Sequence, residues 1–77
     1  MIIEILSFGK IAEIIENQKI ELSGISNTDE LKSYLESSFP NLKNIKYNLS
    51  LNKDMIRENR HIANNDTVAL MPPFSGG

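Results

Sequence analysis

An α+β fold, one mixed sheet packed on one main helix, is predicted by three features of the sequence. Two short apolar and β-branched runs, "IIEILSF" and "TVALM", stand at opposite ends of the chain, each apolar enough to lie in the middle of a sheet. Between them, "TDELKSYLESSF" is the clearest segment with the length and periodicity of a helix. The chain has 77 residues without an internal repeat, linker or low-complexity stretch, which allows one domain around one core.

The first strand starts at Ile2 and runs to Phe8. If Glu4 marks the solvent side, period two sends Ile3 and Ile5 to the core and places Leu6 and Phe8 on Glu4's side, where apolar residues are less expected. Gly9 breaks the pattern. Ile11, Ile14 and Ile15 then fall at helical spacing in "KIAEIIEN", predicting a short helix or turn before a second strand over Lys19 to Leu22. The main helix has Thr28 as its cap, Asp29 and Glu30 at its positive end, and Leu31, Tyr34, Leu35 and Phe39 as one apolar stripe. Pro40 ends it. From Lys46 to Asn52 the sequence alternates, with Tyr47, Leu49 and Leu51 on one face. Lys53-Asp54 supplies a turn, and Met55 and Ile56 a short strand. The turn "NND" calls for positive φ at Asn65 or Asn64. In the last strand, Thr67 to Met71, Val68 and Leu70 face inward and Thr67, Ala69 and Met71 outward, before Pro72 and Pro73 stop it. With the first and last strands adjacent at the centre, this order is that of the β-grasp, or ubiquitin-like, roll. It is a single domain over 1–77, and its flexible tail, 72–77, leaves directly from a central strand.

Composition excludes more chemistry than it offers. The absence of cysteine removes disulfides, thiolate metal sites and any sulfur chemistry on the chain's own thiol, so sulfur could be carried only on a backbone terminus. Eight basic and ten acidic residues, net charge −2, are scattered rather than clustered, which lacks the footprint of a nucleic-acid binder. The apolar runs fall far short of the ~20 residues that span a bilayer, and "MIIEILSFGK" has no basic region followed by a long apolar stretch. A soluble, cytoplasmic protein is expected. His61 is the only histidine, no serine lies in a Gly-x-Ser-x-Gly elbow, and neither a phosphate loop nor metal-ligand spacing is present. We therefore expect no metal, no bound cofactor and no catalysis by this chain alone. What stands out is an apolar strip, Leu6, Phe8 and Met71 with Phe74 just beyond, suited to a partner surface.

Beside that strip the sequence closes on "MPPFSGG". Glycine is about 7% of ordinary sequence, so a pair at a chosen place arises about once in 200 chains. The pair is either a loose polar end or a terminus whose carboxylate must enter another protein's active site, where the lack of a Cβ lets the backbone approach closely. "NNDTVALMPPFSGG", together with "IIEILSFGKIAEII", resembles the small sulfur-carrier subunit of molybdopterin synthase over essentially the whole chain. Pro72, Pro73, Ser75, Gly76 and Gly77 fit that family's ending as they stand. Phe74 replaces a smaller residue, Asn65 stands where glycine is common, and Asn52 matches an asparagine at a turn.

The resemblance implies that the Gly77 carboxylate is adenylated by a separate activating enzyme that uses ATP, and that a sulfur donor converts it to a thiocarboxylate. It is then inserted into the large catalytic subunit, in a heterotetramer, to build the dithiolene of molybdopterin. Catalytic residues would lie on that large subunit, with Phe8 and Met71 facing it. The same fold and final glycines also suit a sulfur carrier for thiamine synthesis or tRNA thiolation, a protein modifier joined to lysines, or a plain interaction module; the Pro-Pro before the tail favours the molybdopterin reading.

Overall fold

In the computed structural model, which describes residues 1–73, the first and last strands lie side by side and parallel. Strand β1 (Ile2–Ser7) pairs with β5 (Thr67–Met71) from Glu4 opposite Thr67 to Ser7 opposite Leu70. Outside β1 runs β2 (Gln18–Glu21), antiparallel to it. On the other side of β5 runs β3 (Asn48–Leu51), also antiparallel, followed by β4 (Asp54–Met55) at the edge. The sheet order is β2-β1-β5-β3-β4. A parallel pair needs a long crossover, and the chain between β1 and β5 supplies it with β2, the helix α1 (Thr28–Ser38), the β3–β4 hairpin and two 3-10 turns, Gly9–Glu13 and Pro40–Asn44. This is the β-grasp expected from the sequence.

One face of the sheet is sealed and the other is not. Ile3 and Ile5 of β1 and Val68 and Leu70 of β5 are fully buried, and Leu31 and Leu35 of α1 join them in one core with Ile11, Ile15, Leu42 and Ile62. The alternation expected in β1 and β5 is thus the observed one. Ala69 is also buried, although it faces the open side, because it is small and lies on a central strand beside Leu6 of β1.

Several local expectations are corrected. The cap of α1 is Asn27, not Thr28: Asn27 Oδ1 accepts the Glu30 N–H at 2.9 Å, while Thr28 is buried and its Oγ1 accepts the Arg60 N–H at 2.9 Å. Tyr34 leaves the apolar stripe and stands exposed, since Leu31 and Leu35 already face the sheet. The β3–β4 turn falls one residue earlier than expected. Asn52 and Lys53 take φ of 49° and 76°, the two positive values of a type I′ turn, so that Asp54 pairs with Leu51 and Ile56 lies beyond the strand. Strand β3 starts at Asn48 rather than Lys46; Leu51 is buried on it, but Leu49, and Tyr47 just before the strand, are only half-buried, because this part of the sheet lies near the edge. Strand β1 ends at Ser7, and β2 ends at Glu21 with Leu22 beyond it donating to Met1 O. Asn65, at φ 71°, is the positive-φ residue of the "NND" turn, as expected.

Candidate partner-binding face

The open side of the sheet is ordered by the register. Leu6, Ala69, Ser50 and Met55 are successive cross-strand neighbours on β1, β5, β3 and β4, and so form one row on that face. A second row joins Glu4, Thr67 and the Asn52 turn; Glu4 Oε1 accepts from Thr67 Oγ1 at 3.3 Å. Phe8 and Met71 lie toward the other end, each one residue past the pairing of Ser7 with Leu70, and Phe8 N–H still donates to Leu70 O at 3.1 Å. Together these side chains line an open depression of about 600 Å³. Phe8 is 48% exposed and Met55 41%, Leu6 and Met71 are half-buried, and the floor is Ala69 and Ser50. Large apolar groups held half in water have no fold-level use, so the geometry suits association with another apolar surface.

The depression brings together Leu6, Phe8 and Met71, the three described residues that the sequence marked as partner-facing. It also adds residues that the sequence reading missed. Met55 went unrecognised because the misplaced turn at Lys53-Asp54 hid its pairing with Ser50; an Asn at the first position of a two-residue turn was the available signal. Of the predicted tail, Pro72 is half-buried and Pro73 exposed, whereas Phe74, Ser75, Gly76 and Gly77 lie outside the described residues. Pro72 packs on the corner after β1. Gly9 there has φ +60°, and a Cβ on it would stand 3.2 Å from Pro72 Cγ, so glycine serves both the backbone and the close approach.

At one end of the face, a polar network anchors the start of β5. Asn52 N–H donates to Thr67 O and Asn52 Oδ1 accepts from Thr67 N, at 2.8 and 2.9 Å, while Asn52 Nδ2 donates to Asp66 Oδ1 at 3.0 Å. Asp66 Oδ2 also accepts the Ala63 N–H at 2.8 Å. These bonds, the backbone one first, hold the Asp66 carboxyl below its ordinary pKa. Asn52 thus has a structural role: it takes the positive φ and ties the hairpin to the central strand. On the opposite side of the sheet Tyr47 Oη donates to Glu36, and burial, then that bond, raises its pKa. His61 is exposed and uses its backbone in a bridge to Asn27. Among the described residues, no group of acidic and histidine side chains is placed to hold a metal, and no helix is long and apolar enough to cross a membrane.

Comparison with known proteins gives this face a context. The chain is similar to the solved structure of SAMP1 from Haloferax volcanii, with TM-score 0.78 at 21% identity over 100% of both chains. A second structure of the small archaeal modifier protein 1 from H. volcanii matches with TM-score 0.78 at 19% identity, over 95% of this chain and 98% of the other. At these identities the likeness establishes the fold. A further match, with TM-score 0.70 at 26% identity over 100% of both chains, is to a complex of subunits 1 and 2 of molybdopterin-converting factor from Helicobacter pylori 26695. The ThiS family model matches residues 5–77, from the middle of β1 through the final glycines. A β-grasp body, an open apolar sheet face and a family match across both identify the chain as a member of the ThiS family of ubiquitin-like sulfur carriers.

Proposed function

We propose that this chain is the small, sulfur-carrying subunit of a cytoplasmic molybdopterin synthase, with Gly77 as the reacting terminus. The observation that carries this reading is the full-length likeness to a chain of the molybdopterin-converting factor complex, at 26% identity. The apolar depression beside the exit of the tail supports it.

The Gly77 carboxylate is a poor electrophile and must first be activated. On a separate activating enzyme its oxygen attacks the α-phosphorus of ATP, and pyrophosphate leaves. The acyl adenylate then takes hydrosulfide, released by the sulfur donor, at its carbonyl carbon, AMP departs with the bonding electron pair, the proton is lost to solvent, and a thiocarboxylate remains. Within the large subunit of a heterotetramer the sulfur passes to the pterin precursor, and water restores the carboxylate. This chain itself binds no cofactor; ATP belongs to the activating enzyme, and a closed site there protects the acyl adenylate from water. Phe8, Leu6 and Met71 dock the body on the large subunit. The six residues Pro72 to Gly77 reach about 20 Å when extended, enough to thread a channel from that docked position. The paired prolines restrict the tail before it inserts and so lower the ordering cost.

The test is length. An alanine appended after Gly77 moves the carboxylate about 3.5 Å and places a Cβ beside it, when attack needs reacting atoms within about 3.5 Å. Deletion of Gly77 displaces it the other way. Both variants should keep the wild-type melting temperature and lose ATP–pyrophosphate exchange with the activating enzyme. Normal exchange and sulfur delivery by either would overturn the carrier reading. Mass spectrometry of the protein from its own cells separates the fates of the tail: a thiocarboxylate adds ~16 Da as sulfur replaces oxygen, whereas conjugation to lysine leaves a branched peptide.

A further inference from the structure

The middle row of the open face is built the wrong way round for a sheet surface. A central strand favours β-branched and aromatic residues, and alanine is depleted there. Yet the two central strands of the row present Ala69 and Ser50, while the large side chains, Leu6 and Met55, stand on the strands to either side. The result is a recess with a floor in which Ala69 is 8% and Ser50 5% exposed, between apolar walls that remain half-buried or exposed. Nothing in the core requires small residues there, because Ala69 and Ser50 face away from it. A local rule broken without an internal gain points to use by something outside the chain.

We propose that this recess receives one bulky apolar side chain of the large subunit, flanked by a carboxylate that meets Lys53. The occupant is apolar because Leu6, Met55 and Met71 wall the recess, and single because the floor spans only two strands. The carboxylate follows from the rim. At the end of the row formed by Glu4, Thr67 and the Asn52 turn, Glu4 is engaged by the Thr67 hydroxyl within the same sheet, whereas Lys53 sits at the hairpin tip and lines the depression as its cation. Lys53 is held there at φ 76°, a conformation that side chains other than glycine, asparagine and aspartate seldom adopt. The inference rests on the carrier reading for the identity of the partner only.

Filling the recess is the direct test. Ala69→Leu should bind the purified large subunit at least about tenfold more weakly than wild type in calorimetry, as expected when a buried anchor is displaced. Ser50→Leu, on the neighbouring strand, serves if Ala69→Leu fails to fold. Lys53→Glu should also weaken binding, with the difference from wild type shrinking at high salt. With methyl-labelled methionine, the Met55 and Met71 signals should shift in the complex while Met1, remote from the face, stays in place. Undiminished affinity in a folded filled variant, or unshifted Met55 and Met71, would overturn the recess and leave the carrier reading standing. Failure of the wild type to bind the large subunit would overturn the recess together with that partner, while pyrophosphate exchange at Gly77 would still decide whether the chain is a carrier. Self-association of the wild type that is lost in Ala69→Leu would make the occupant a second copy, and the partner assigned here would be wrong.

Discussion

Asp66 ties three segments to the start of β5: its carboxylate accepts from Ala63 N and Asn52 Nδ2, and its carbonyl accepts from Glu4 N at 2.9 Å. Because its pKa is lower folded than unfolded, the carboxylate adds stability above the unfolded value of 3.8, and loses it as pH falls through the folded value. Wild type should therefore melt at progressively lower temperature below about pH 4, while Asp66→Asn should start lower at pH 7 and show a flatter acid limb. Equal slopes in the two melting series would remove Asp66 as the acid-sensitive group. Asn65 shows what single residues disclose in sequence, since its positive φ follows from residue type and a local turn. The role of Asn52 did not follow, because its partners lie 14 and 15 residues away and only the fold brings them together.

Among the elements, legibility followed length and one-sidedness. Strand β5 matches its expected bounds, and β1 differs by one residue, because each sends every second side chain, apolar and large, into the core. Strand β4 has two residues, too few to show a period, and its turn was misplaced by one. That slip matters for the site: Leu6, Phe8 and Met71 could be read from two well-patterned strands, but Met55 depended on the hairpin register. The same turn yields a prediction. Lys53 at φ 76° occupies the second position of a type I′ turn, where glycine is unstrained. Lys53→Gly should raise stability in denaturant unfolding by about 0.5–1 kcal/mol, the left-handed penalty removed less the added freedom of the unfolded chain. A loss of stability would mean that the lysine side chain supports the hairpin through contacts that outweigh its backbone strain.

At the scale of the molecule, the two faces of the sheet should respond oppositely to substitution. Leu35→Ala empties part of the sealed core and should cost about 2–5 kcal/mol, a large part of what a domain of this size possesses. Phe8→Asp and Met71→Asp alter the open face, and should leave thermal unfolding near that of wild type while weakening the large-subunit complex by ~2 kcal/mol or more. Retained affinity with both replaced would dismiss the face as a docking surface. The sheet order has a further consequence, for synthesis. Among the described residues, strand β5 is the strand of the sheet that joins the β2–β1 and β3–β4 hairpins, and its pairing with β1 joins residues 63 apart. A growing chain makes β5 after every strand it will pair with, so until then two half-sheets wait with unpaired inner edges, open to wrong pairing. Folding must close this long loop late, and is expected to be slow for so short a chain. The strand that completes the sheet is also the strand from which the tail departs. A chain truncated before Thr67 would therefore be left with two half-sheets and no strand to join them.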